Sequence, residues 1–176
     1  DASFCGVPQK RKRFFCIGRQ SAQDSFLLPI INKKLSAKPM TMRDYFGNDL
    51  CLEHYYRHPR NYSRRAIFSI DEPAPTVRGV NRPVPSGYEK HPGDPVDPKT
   101  IRPLTTEERA QVQTFPKDFK WLGTKTDKEQ MIGNAVPVGL AEFVGSCILE
   151  YEKDLKCEGK RQNRRRTVQS LAENCC

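Results

Sequence analysis

Apolar positions along this chain come in short clusters separated by long polar stretches. Phe14-Phe15-Cys16-Ile17, bounded by Pro8 and Gly18, has the length and continuity of a buried strand over residues 11–18. Leu27-Leu28-Pro29-Ile30-Ile31 forms a second patch, suited to docking a connection. Met42-Arg43-Asp44-Tyr45-Phe46 reads as a short helix or turn, Ala66–Ile70 as a strand, and Asp71–Pro75 as a turn or extended stretch. Between Pro59 and Pro98 the prolines are too frequent for a long helix, so loops and short strands are expected, with turns at Gly79, Gly87 and Gly93. Thr105 and Glu108 have the spacing of a capping box, opening a helix that Pro116 ends. A later helix follows Asn134, with Pro137 in its first turn. Leu140, Phe143, Val144, Cys147, Ile148, Tyr151 and Leu155 recur along it at helical spacing and predict one apolar packing face.

Composition narrows the class. Only 36% of the residues are hydrophobic, which is lean for a self-sufficient core of 176 residues. The formal net charge of +9 points to a polyanionic partner. No apolar stretch reads as long enough to span a membrane, and no secretory signal is recognisable. Seven cysteines, an odd number without zinc-type spacing, fit reduced thiols in a cytoplasm and no metal site. His54 and His58 are four apart, so they are expected to share a surface helix face rather than to bind metal.

The cationic side chains fall into distinct groups. Arg11 and Arg13 stand two apart at the entry to the first apolar run, so on a strand both would project from one face. Two guanidiniums aimed at one place suit a phosphate or a base carbonyl, although a solvated strand end has the same pattern. Arg57, Arg60, Arg64 and Arg65 lie among Tyr55, Tyr56, Tyr62 and His58. Cations interleaved with aromatics suit phosphate contact and stacking, and a merely soluble loop is the plainer alternative. The basic residues after about 153 read as a frayed tail or an extra non-specific nucleic-acid contact.

Three segments carry a family resemblance. They are Gln9-Lys10-Arg11-Lys12-Arg13; Arg102-Pro103-Leu104-Thr105 running through Glu108, Ala110 and Gln113 to Phe115-Pro116; and Gly133-Asn134-Ala135-Val136. In this order they closely resemble the last three conserved motifs of the bacterial DNA cytosine-5 methyltransferases, across roughly residues 1–150. The resemblance implies an α/β fold. It would comprise the C-terminal part of an S-adenosylmethionine-dependent, Rossmann-like domain and a small, irregular, β-rich target-recognition domain. Residues 1–40 would hold the last strand region of the catalytic domain and 41–100 the recognition region. Residues 101–133 would hold the recognition-domain helix and hinge, 134–155 a helix returning to the catalytic domain, and 156–176 a basic tail.

The same resemblance implies roles. Arg13 would contact the target cytosine at O2, and Arg11 would bind phosphate or brace the pocket. Asn134, Ala135 and Val136 would touch the cofactor S-adenosyl-L-methionine. Thr76 and Val77 look like the family's recognition pair, near the flipped cytosine or its neighbours, and Arg78 suits a guanine edge or a phosphate. Gln9, Arg57, Arg60, Arg64 and Arg65 complete the expected contacts to double-stranded DNA. The family's Pro-Cys nucleophile and Glu-Asn-Val segment do not occur here. The reading is therefore a C-terminal section that lacks its N-terminal catalytic portion and is inactive alone. A non-catalytic recognition subunit of a split enzyme is the alternative. A general basic nucleic-acid-binding protein leaves the three ordered motifs unexplained.

Overall fold

The computed structural model describes residues 1–20, 22–61, 63–98 and 101–173, with side chains as far as Cys157. Tyr62, the adjacent Cys175 and Cys176, and the side chains of the basic tail lie outside the described residues. The architecture is mixed α/β. Strand β1 (Gln9–Lys10) pairs in parallel with β4 (Ala74–Pro75), Gln9 opposite Ala74. Strands β2 (His54–Tyr56) and β3 (Ile67–Ser69) pair antiparallel, Tyr55 opposite Phe68. Helices are α1 (Leu28–Lys34), α2 (Met42–Phe46), α3 (Thr106–Val112), α4 (Lys125–Asn134) and α5 (Val138–Glu173).

The chain divides into two compact units: residues 1–16 with 36–141, and residues 17–35 with 142–176. Met42, Phe46, Tyr55, Phe68, Ile70, Ala74, Val77, Leu104, Val112 and Ile132 form the main core of the first unit. In the second unit α1 meets α5 through the Lys34–Glu150 ion pair (2.7 Å), while Arg19 pairs with Glu152 (2.7 Å) and Phe26 packs on Tyr151. The expected apolar stripe of α5 is buried at Leu140 and Cys147 and half-buried at its other positions.

Local signals decide the helix starts. Thr105 and Glu108 make the expected reciprocal cap on α3. Thr41 with Asp44 caps α2 in the same way, and Thr124 with Asp127 caps α4. Helix α3 stops at Val112, before Pro116, and Thr114 takes a left-handed φ of 59°.

Several expectations fail. Residues 11–18 do not form a strand, and residues 12–16 are exposed, Phe14 at 91%. His54 lies in β2, so it shares no helix face with His58. Pro137 precedes α5 rather than lying in its first turn. Residues 125–157 contain a window apolar enough to cross a membrane by length and composition, contrary to the sequence reading. That window is not one continuous helix, because α4 ends at Asn134 and extended Ala135 separates it from α5.

Candidate DNA-recognition site

Arg11 is the meeting point of the first unit. It is 1% exposed, and its guanidinium donates to the carbonyls of Val77 (2.8 Å), Gly133 (2.9 Å) and Ala135 (2.8 Å). Burial, followed by the repulsion of Arg13, lowers its pKa to about 10. A planar fork of N–H donors is suited to such a junction, whereas an ammonium is not.

Two buried amides complete it. Gln113 donates to the Ile132 carbonyl (2.5 Å) and accepts from Gln9 Nε2 (2.9 Å). Gln9 Oε1 in turn accepts from the Val77 backbone N–H (2.9 Å). Both backbone groups of Val77 are thus held by side chains from the first motif segment. Thr76 Oγ1 adds a bond to the Lys10 carbonyl (2.9 Å).

Close backbone approach does the rest. A Cβ on Gly133 would lie 2.1 Å from the Gly79 nitrogen and 2.3 Å from the Arg78 carbonyl carbon. Only glycine lets α4 press against the Arg78–Gly79 backbone in this way. Arg109 and Glu129 form a buried ion pair behind that contact, and Glu129 also accepts from Thr106 Oγ1 (2.8 Å).

The remaining expected residues separate into two kinds. Arg13 is exposed and donates only locally, to the Lys12 carbonyl (2.9 Å). Arg60 and Arg64 are exposed. Arg57 is half-buried and donates to the Thr76 carbonyl (2.8 Å). Its pKa falls to about 10, through burial and then the charge of Arg78. Arg65 pairs with Glu72 (2.5 Å) and lies over the Phe68 ring. Arg78 donates to the His58 carbonyl. Asn134 and Val136 are exposed and Ala135 half-buried, at the turn between α4 and α5.

A family model described as C-5 cytosine-specific DNA methylase matches residues 1–150. The chain belongs to this family. It is 63% identical over 156 residues to the Type II methyltransferase M.HindV of Haemophilus influenzae, covering 88% of this chain and 51% of that one. It is 55% identical to M.HgiDI of Herpetosiphon aurantiacus, covering 86% of this chain and 49% of that one. To M.MthTI of Methanothermobacter thermautotrophicus it is 34% identical, with 86% and 54% covered. The chain thus spans about half the length of the curated relatives it matches. No solved structure matches it.

For a member of this family, the geometry gathers Gln9, Arg11, Val77 and the C-terminal end of α4 with Ala135 at one junction. It does not bring Arg13 into that junction. The sequence reading missed Gln113, Gly133, Arg109, Glu129 and Asp94. Asp94 accepts from the Ala66 and Ile67 N–H groups (2.9 Å each), the Tyr88 hydroxyl (2.6 Å) and the His91 N–H (3.0 Å), so it ties the proline-rich loop to β3. A buried carboxylate accepting several bonds has its pKa lowered, as here, although burial itself opposes the shift. Gln113 was visible within its motif, but a buried amide cannot be told from an exposed one by spacing.

Proposed function

We propose that this chain is the C-terminal section of a DNA cytosine-5 methyltransferase of a type II restriction–modification system. It acts in a bacterial cytoplasm on a specific duplex site. The bonds that join the first motif segment to the other two, Arg11 to Gly133 and Ala135 and Gln9 to Gln113, support this most directly. The antiparallel pair and the proline-rich loop belong to the target-recognition part. The β1 region and the α4–α5 turn belong to the edge of the Rossmann-like catalytic part.

Carbon 5 of cytosine is a weak nucleophile. Addition of a thiolate at carbon 6 makes carbon 5 enamine-like, and the base must leave the stack to be reached. The thiolate comes from the portion of the enzyme that this chain does not include. In this reading Arg13 donates to O2 of the flipped base, where negative charge grows. Arg11 holds the recognition segment at Val77 and does not itself touch the base. Thr76 and Val77 lie beside the target, while exposed Arg60 and Arg64 contact phosphates.

The residues expected at the cofactor fit one wall of such a site. Asn134 offers an exposed amide and Val136, 42% exposed, an apolar contact. Their backbone is held from behind by Arg11 through the carbonyls of Gly133 and Ala135. S-adenosyl-L-methionine, when bound, supplies the electrophilic methyl group.

The test uses a hybrid: the full 176-residue chain joined to the part of M.HindV that it does not match. The chain alone, the hybrid, and the two parts merely mixed are incubated with duplex DNA and methyl-labelled S-adenosylmethionine. Label at cytosine carbon 5 is expected from the hybrid and not from the chain alone. Activity of the mixed parts would favour a split enzyme. Label from the chain alone contradicts the assignment of the nucleophile to the other portion.

A further inference from the structure

Arg57, Arg78 and Arg109 line one open pocket, together with His58, Asn81 and Tyr56. No carboxylate is among its described lining residues. Glu129 offsets Arg109 from behind, at a position 3% exposed. Nothing comparable offsets Arg57 or Arg78 among the described residues.

The arginines are also held in place. Arg57 donates to the Thr76 carbonyl (2.8 Å), Arg78 to the His58 carbonyl, and Arg109 to the Arg78 carbonyl. Each bond uses part of a guanidinium, and the planar group retains further N–H donors. Like charges this close are costly when half-buried, and burial with mutual repulsion lowers the pKa of both Arg57 and Arg109 to about 10. A fixed, concave cluster of three cations, only one of them offset by a carboxylate, is a site for an anion.

We propose that this pocket takes one phosphodiester group of the DNA backbone, with Arg57 and Arg78 gripping the same phosphate and Arg109 holding Arg78 in place. A guanine edge needs one bidentate arginine and no net charge, whereas a phosphate calls for shared positive charge. The pocket therefore assigns Arg78 to positioning rather than to base readout. The proposal rests on the methyltransferase reading, and it names the DNA group that the recognition segment meets.

The test measures duplex binding by the hybrid, wild type against Arg57→Ala, Arg78→Ala, the double variant and Arg57→Lys. Cognate and non-cognate duplexes are titrated at several salt concentrations. Cognate duplexes carrying a single neutral methylphosphonate at each position in turn are titrated alongside. Each alanine variant is expected to lose roughly tenfold on both duplexes, with the salt slope reduced by about one unit. Because the phosphate is shared, the double variant should lose no more slope than either single. One methylphosphonate position should erase the difference between wild type and variants. Arg57→Lys, which keeps the charge, should retain the wild-type slope and so separates lost charge from misfolding. Loss confined to the cognate duplex in Arg78→Ala, or the absence of any erasing position, overturns the proposal. Wild-type protein that binds no duplex overturns the methyltransferase reading itself.

Discussion

Arg11 and Arg13 stand two residues apart and lead different lives. Arg11 is buried, with three backbone carbonyls as acceptors, and fixes the relation between the Val77 segment and the end of α4. Arg13 is exposed, on a segment whose phenylalanines also face outward, Phe14 at 91% and Phe15 at 39%. The first region is largely self-contained: both terminal nitrogens of Arg11 and both backbone groups of Val77 are bonded within the chain. The second leaves apolar and cationic groups exposed. Physical burial, rather than motif membership, thus separates a residue that builds the site from one that would act in it.

The largest effect expected in the first region comes from Gly133→Ala. The added methyl meets backbone rather than a flexible side chain, so α4 must separate from Gly79. A loss of about 3 kcal/mol or more in denaturant unfolding is expected. Near-neutral behaviour would mean that the close approach is not required.

Arg11→Ala ranks next. It strands the carbonyls of Val77, Gly133 and Ala135, at a cost of roughly 2–3 kcal/mol. Arg11→Lys should recover only part of this, because an ammonium cannot reproduce the planar fork. Full recovery of stability by lysine would show that charge alone is needed there.

Asp94→Asn probes the loop within the same unit. The carboxylate has a depressed pKa, so its contribution is present above the ordinary carboxylate range and is lost as pH falls through the lowered folded value. Wild type should therefore lose stability on acidification more steeply than Asp94→Asn, and parallel pH curves for the two would contradict the role. The smallest effect belongs to Phe14→Ser in the chain alone. An exposed side chain contributes within about 0.5 kcal/mol. In the hybrid the same change should weaken folding or assembly clearly, and equal effects in both settings would remove the contrast between the two regions.

What was legible in the sequence followed the range of the interaction. Thr105 and Glu108 are three apart, and the cap they predict is present. The signal Thr124 with Asp127 was equally local, and attention to it would have found α4. The pairing of β1 with β4 joins Gln9 to Ala74, and Arg11 reaches across to Gly133. No periodicity reports contacts of that separation. Of the four arginines that read as one phosphate run, Arg57 and Arg65 turned inward to Thr76 and Glu72, while Arg60 and Arg64 stayed exposed. Phe14 and Phe15 misled for another reason: the apolar run carries a strand pattern, but no strand among the described residues pairs with it.

The division between a bracing arginine and an acting one is tested most directly by Arg13→Ala in the hybrid enzyme, followed by single-turnover methylation and thermal unfolding together. The account predicts a rate lower by roughly 10²–10³, as for loss of one preorganised donor, with a melting temperature unchanged within about a degree. A rate within about threefold of wild type, or a rate loss matched by a loss of stability, would contradict it.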